Sequence, residues 1–372
     1  MAISTIGASA LDSGVSQLGK NLIDNGESSV NQRGTQTGLG ASGSYLNDRW
    51  KYEASGSGET GRFTASKGTG ITGAAGSQRI EVTTADAVLA AGHLYLVTQK
   101  IEAQNLQHLL YGTASAKSLT YQAVFKTDVA GDYTLKFLAP DGSRTYVTTI
   151  TLVGDGSQEA FTFTLPGDTS GTINNDTGVG LEVMLTLAAG SNFQGGTEDA
   201  WTAEANNTYG AANTVNFFAT VGNYIEFSLC QLEVGSVATD FEHEDYGTTL
   251  IKCQRYLRTY SQVSGVNPHI AQGFGYNTTR GWFTIDLNPA MRAAPTMSYV
   301  GTANQLNMFY DAVTLYVATD GGTYLQGANT TSVDFLCDVA SGTPLTAEEP
   351  LLLFIIAGSG GTANQLRISA EL

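Results

Sequence analysis

An all-β chain built as two antiparallel β-sandwich domains is predicted by three features of the sequence. Short runs alternating apolar with polar residues recur through most of the 372 residues, the period of half-buried strands. The segments between them are rich in Gly, Asn and Asp, with 44 glycines in all, which suits tight turns. Charged residues make up only 14%, against roughly 25% in ordinary soluble proteins. Apolar residues at 42% and aromatics at 9% are enough to build cores, so the low charge does not read as disorder. The length allows two domains, each with its own core.

Taken in order, residues 1–20 are small and polar, with Ile3, Ile6, Leu11, Val15 and Leu18 at irregular intervals. They cannot offset the entropy of folding alone and read as an arm that orders against a partner subunit. They lack a basic start and an apolar h-region, which predicts no secretory signal and synthesis in a cytoplasm. Residues 21–34 predict a short strand, an Asn25-Gly26 turn and a second extended piece. The segment Asn47 to Glu53 follows, with Trp50 and Tyr52 alternating with charges.

Strands are then predicted at Gln78–Val82, His93–Gln99, Ser118–Lys126, Tyr133–Leu138, Arg144–Leu152, Glu159–Leu165, Leu181–Ala188, Val215–Thr220 and Tyr224–Val234. Ala103 to Leu110 interrupts them with a helical spacing. A first sandwich thus covers 21–246 and a connector 247–264. A second sandwich covers 265–372, with strands at Gly273–Tyr276, Gly281–Leu287, Thr296–Tyr299, Met308–Tyr310, Val313–Thr319, Ser332–Val339, Leu351–Ala357 and Gln365–Leu372. No segment approaches the ~20 apolar residues of a membrane span. No repeat period marks a solenoid or propeller.

The stretch Leu229 to Tyr260 links the two domains. Its first part alternates as a strand, and Phe241-Glu242-His243-Glu244-Asp245-Tyr246 makes an acidic corner. Leu250, Cys253, Tyr256 or Leu257, and Tyr260 then fit a helix, while Tyr256 to Tyr260 serve equally as a strand.

A set of motifs in this order resembles bacteriophage tail-fibre and related virion proteins. At the junction it comprises Gln231-Leu232-Glu233-Val234-Gly235, Phe241-Glu242 and Cys253-Gln254-Arg255-Tyr256. Earlier come Asn21 to Gly26, Gln32-Arg33-Gly34 and Asp48-Arg49-Trp50; later come Met291 to Thr296 and the terminal Ala370-Glu371-Leu372. The opening segment also resembles jelly-roll carbohydrate-binding modules, although Glu27-Ser28 departs from their pattern. These resemblances imply jelly-roll-like β-sandwich domains in a structural virion protein, attached to other virion subunits through residues 1–20. They further imply a tail fibre or appendage, commonly a homotrimer, that meets glycans on the host surface. A head fibre or capsid decoration, and a surface-polysaccharide depolymerase, remain alternatives.

No catalytic signature accompanies this. A net charge of −16 opposes nucleic-acid binding, which needs basic patches. His93, His108, His243 and His269 are isolated, and Cys230, Cys253 and Cys337 form no zinc or disulfide spacing, so Cys230 is expected as a buried free thiol. No cofactor is implied. Asp155 and Asp176 sit in loops whose oxygens suit Ca²⁺. Glu198 and Asp199, beside Trp201, read as a solvated acidic loop or as paired carboxylates. The candidate ligand-binding rings are Trp201, Tyr209 and Trp50. The first two lie in the long polar loop Gly190 to Ala212, and Trp201 fits either ligand or subunit contact or the edge of a core. Trp282 is expected to face a core.

Overall fold

The computed structural model describes residues 19–56, 58–261, 267–300, 306–309, 315–341, 345–355 and 364–372. The chain divides into two compact units, Met1–Thr249 and Leu250–Leu372. The predicted arm, apart from its last two residues, lies outside the described residues.

The first unit contains β1 (Gln36–Leu39), β2 (Lys51–Ser55), β3 (Arg62–Gly68), β4 (Ser77–Thr84), β5 (Leu94–Glu102) and β6 (Leu119–Thr127). It continues through β7 (Gly131–Ala139), β8 (Arg144–Leu152), β9 (Gln158–Leu165), β10 (Val179–Ala189), β11 (Thr202–Ala203) and β12 (Tyr224–Val234). They form two six-stranded sheets, ordered β1-β3-β4-β12-β6-β9 and β11-β8-β7-β10-β5-β2. Pairing is antiparallel throughout.

Alternation places one face of each sheet in a shared core. Leu119, Tyr121, Ala123 and Phe125 of β6 are all buried, as are Tyr133, Leu135 and Phe137 of β7. Tyr121 meets Phe137 edge to face across the sandwich, with ring centroids 5.7 Å apart. Each such ring contributes about 1.5–3 kcal/mol of burial.

Two predicted elements differ. Val215–Thr220 is not a strand but a 3₁₀ turn at Phe217–Ala219, capped by the Asn216 side chain, which accepts from the Phe218 amide. Phe217 and Phe218 are both fully buried, and two consecutive inward side chains do not fit a pleated strand. Residues 21–34 form turns rather than a hairpin. Asn25 is left-handed at φ 54°, and a Cβ on Gly26 would lie 2.2 Å from the Cys230 carbonyl oxygen, so only glycine fits there. Strands β1, β3 and β11 fall in segments that the sequence does not mark as strands. The helical spacing at Ala103 to Leu110 becomes a 3₁₀ helix, Ala103–Leu109, that buries Leu106 and Leu109.

The connector resolves into two elements. Helix α1 (Tyr246–Gln254) starts at Asp245, whose carboxylate accepts from the Thr248 amide at 3.1 Å, an N-cap. Strand β13 (Leu257–Ser261) follows.

The second unit adds β14 (His269–Asn277), β15 (Arg280–Asp286), β16 (Thr296–Val300), β17 (Leu306–Phe309) and β18 (Leu315–Ala328). Its last strands are β19 (Ser332–Ser341), β20 (Pro350–Ile355) and β21 (Gln365–Ser369). The antiparallel class holds here too. One sheet, β14-β15-β19-β18-β17-β20, closes on itself, and β13-β21-β16 forms a second. Phe283, Phe335, Met308 and Leu353 fill the core, all fully buried. Gly281 leaves room for it, since a Cβ there would come within 2.9 Å of Phe283, Leu351 and Met308. Among the described residues no helix is long and apolar enough to cross a membrane.

Candidate functional site

The long segment Gly190 to Ala212, which includes β11, lies on the outer face of the β2-containing sheet. Thr134 on β7 donates to the Gly210 carbonyl at 2.8 Å, and Gln194 donates to the Ala189 carbonyl at 2.7 Å. Phe193 and Tyr209 cover Leu94, Leu96, Leu138, Met184 and Ala189 in a small core separate from the main one. The loop's length therefore reflects a layer added to the sheet.

At its centre is Lys136. The residue is fully buried, and its Nζ lies 3.1 Å from the centroid of the Tyr209 ring. Nζ also donates to Thr208 Oγ1 at 3.2 Å and stands 3.6 Å from Glu204. The Tyr209 hydroxyl donates to Glu204 at 2.7 Å. Burial pushes the ammonium down to about 8, against the opposing pull of Glu204. The aromatic face and the carboxylate together substitute for lost water.

Beside this cap the outer face carries charges in register. Glu182 on β10 sits opposite Lys100 on β5, with 3.7 Å between the charged groups. Lys100 also reaches Glu53 at 3.5 Å, and Lys51 reaches Glu53 at 3.0 Å. Burial raises the Glu182 carboxyl despite Lys100. The row offers hydrogen-bond donors and acceptors on the outer sheet face, a surface chemically suited to hydroxylated ligands.

The three candidate rings separate. Tyr209 belongs to the cap. Trp201 is half-buried at the edge of the main core, with Tyr111 at 5.6 Å and Tyr146 at 5.9 Å, and its indole N–H donates to the Pro166 carbonyl at 2.6 Å. Trp50 corrects the expectation. Only 3% exposed, it packs edge to face on Phe227 at 4.9 Å and offers no ring to a ligand.

The proposed calcium oxygens have local partners instead. Asp155 accepts from the Ser157 amide and Asp176 from the Gly178 amide, each at 2.8 Å, the hydrogen bond of an Asx turn. Hydrogen bonds from the Ser157 hydroxyl and then its amide lower the Asp155 carboxyl. Among the described residues no group of three or more His, Cys, Asp or Glu side chains could hold a metal ion. Glu198 accepts from Thr149 at 2.7 Å, and Asp199 accepts weakly from Tyr146 at 3.5 Å.

The motif residues converge on two places. In the first unit, Asn21 accepts from the Ile23 and Leu232 amides, each at 3.0 Å. Glu242 accepts from the Asn21 amide at 2.9 Å and from the Gly19 amide. The Glu242 amide donates to Gln231 at 2.8 Å, and Gln231 donates to Glu233 at 3.0 Å. Phe241 lines a recess over Asn21 and Glu27 with a cavity volume of about 20 Å³, room for one water.

Next to it, Asp48 accepts from the Gln32 amide at 2.8 Å, while Asn25 donates to the Asp48 carbonyl at 3.0 Å. Arg49 donates to Asp24 at 3.4 Å and to the Lys100 carbonyl at 2.6 Å. In the second unit, the Tyr256 amide donates to the Cys253 carbonyl at 2.9 Å, the Arg292 amide to the Arg255 carbonyl at 2.9 Å, and the Ala370 amide to the Tyr256 carbonyl at 2.8 Å.

All three cysteines are free and buried, and burial pushes the Cys230 thiol up to about 12. Trp282 gives a second correction. Phe283 and Ile285 face the core of the second unit, so Trp282 points outward with Thr284. The alternation Phe283, Ile285, Leu287 carries that signal in the sequence.

The chain matches no protein-family model and no curated protein. Among solved structures it is similar to the enzymatically active domain of tailspike protein 4 of bacteriophage CBA120, at 10% identity and a TM-score of 0.32. That match covers 58% of this chain and 22% of the tailspike chain, so this chain spans under a quarter of it. A family 11 carbohydrate-binding module from Clostridium thermocellum, in complex with a β-1,3-1,4-mixed-linked tetrasaccharide, is 14% identical, covering 55% of this chain and 99% of the module at a TM-score of 0.27. The CBM22 tandem domain of Paenibacillus barcinonensis Xyn10C is 8% identical, covering 97% and 100% at a TM-score of 0.27. At these values the likeness carries no role over to this chain.

Proposed function

We propose that this chain is a structural protein of a phage virion, a tail fibre or tail appendage that touches glycans on the host surface. The supporting observation is the convergence of the tail-fibre-like motifs. In each unit they gather where the chain enters and leaves the fold, around Asn21 and Glu242 in one and around Arg292 and Ala370 in the other. Residues 1–20 join it to other virion subunits, in a homotrimer. The outer face around Lys100, Glu182 and the Tyr209 cap is where the first unit meets a glycan. The role is binding and structural rather than catalytic. Glu198 and Asp199 are engaged by Thr149 and Tyr146, which suits positions that shape a loop.

Immunogold labelling of intact particles with antibody to the purified chain tests the assignment. Label on the tail is expected. Label at capsid vertices moves the protein to the head, no label removes it from the virion, and capsule turnover by the purified chain makes it a depolymerase.

A further inference from the structure

The outer face of the closed sheet in the second unit carries an unusual row. Register sets Phe274 of β14 opposite Trp282 of β15, and Trp282 opposite Leu336 of β19. The Phe274 and Trp282 rings are nearly parallel, 10° apart in plane with centroids separated by 6.4 Å. Tyr276 adds a third ring 5.8 Å from Trp282. Phe274 is 42% and Tyr276 51% exposed, on the side of the sheet that points away from the core.

Polar groups bracket this row on both sides. Thr284 donates to Asp334 at 2.6 Å along one edge. Along the other, Arg280 pairs with Asp338 at 2.8 Å, the two side chains being 40% and 25% exposed. A contiguous patch of large rings on an outward sheet face marks an interaction site.

We propose that this face is a saccharide-binding site, taking a short stretch of a neutral glycan. The apolar C–H face of one pyranose packs on Trp282 and that of its neighbour on Phe274. Hydroxyls donate to Asp334 and Asp338 and accept from Arg280.

The bracketing charges select this occupant. An apolar protein surface laid on the rings would desolvate the Arg280–Asp338 pair and the Asp334 carboxylate, which is costly. Sugar hydroxyls replace water on those groups and keep their hydrogen bonds. A polyanionic glycan would meet two carboxylates on a chain of net charge −16, which disfavours it. The site deepens the host-contact reading by giving the second unit a ligand class.

The test is affinity electrophoresis of the full-length chain in gels containing dextran, yeast mannan or mixed-linked β-glucan. At least one of these is expected to retard the wild type. Trp282→Ala and Phe274→Ala should each weaken retardation about tenfold, the scale of one lost stacking contact. Arg280→Ala should weaken it less, and Val88→Ala, at an exposed position of the first unit away from both faces, should leave it unchanged. Both ring positions point outward, so the circular dichroism spectra of the folded variants should match the wild type. Should Trp282→Ala fold poorly, Phe274→Ala and Arg280→Ala still decide the matter.

The proposal is overturned if none of the three polysaccharides retards the chain, or if Trp282→Ala and Phe274→Ala bind as well as the wild type. A change in assembly mass by light scattering on Trp282→Ala also overturns it, making the face a subunit contact. None of these results alters where antibody labels the particle, so the virion assignment fails or stands separately.

Discussion

Arg292 donates from Nε to the main-chain carbonyl of Ala370 at 2.8 Å, and its second guanidinium nitrogen reaches the Glu371 carbonyl at 3.2 Å. The end of the chain after β21 is therefore held by one planar fork, while the Ala370 amide is taken by Tyr256. A lysine has a point charge on a flexible stem and does not reproduce that geometry. Arg292→Ala is expected to lower stability by about 1–3 kcal/mol, with Arg292→Lys recovering less than half. Urea unfolding followed by tryptophan fluorescence measures both. Full recovery by lysine would show that charge alone suffices.

In the first unit Glu242 occupies the corresponding position. Its two carboxylate oxygens accept from the amides of Gly19 and Asn21. Glu242→Gln replaces one acceptor with an NH₂ group facing a donor, so one hydrogen bond becomes a repulsion. A loss of about 1–3 kcal/mol follows, and the Asn21 amide should exchange with solvent faster. Unchanged exchange at Asn21 would mean that another group holds this strap.

Calcium should not matter to the loops at Asp155 and Asp176. Both carboxylates accept from backbone amides within their own turns. Alanine at either position should lower the melting temperature by the same amount with calcium and with chelator. A melting temperature that rises with calcium in the wild type and not in the variants would restore the metal reading.

The sequence carried the strands well because their signal is local: alternation in β6, β7 and β8 is complete within each run, and in β12 it slips only at Leu229, where the register shifts. The side a ring faces was less legible. Trp50 and Trp282 each sit in alternating runs, yet one is core and the other surface. The deciding residues were their neighbours, Phe283, Ile285 and Leu287 for Trp282. The cap over Lys136 was hidden for another reason. Lys136 stands at an outward position of β7, where a lysine is ordinary, and only the loop from Gly190 onward, distant in sequence, makes it buried. Val215 to Thr220 failed because β-branched and aromatic content fits a strand, while packing of both Phe217 and Phe218 required a turn.

Lys136 also gives the fold a measurable dependence on pH. Its folded value is lowered by burial to about 8, from an ordinary 10.5. Between those values the unfolded chain holds a proton that the folded chain has lost, so stability rises with pH across this window. The gain approaches about 1.4 kcal/mol per pH unit for one proton. Above pH 10 buried tyrosines such as Tyr209, raised by burial from 10.0, act with the opposite sign, so the interval from 8 to 10 is the informative one. Lys136→Met removes the titrating group and keeps an unbranched side chain against the Tyr209 ring. The variant should be as stable as the wild type, or more so, at pH 7, since a buried charge is replaced by an apolar side chain of similar length. Its stability should also lose the rise between pH 8 and 10. Urea titrations of both proteins at pH 7, 8, 9 and 10 measure the difference. Parallel pH profiles for the two would show that Lys136 keeps its proton through that range, held by Glu204 and the ring above it.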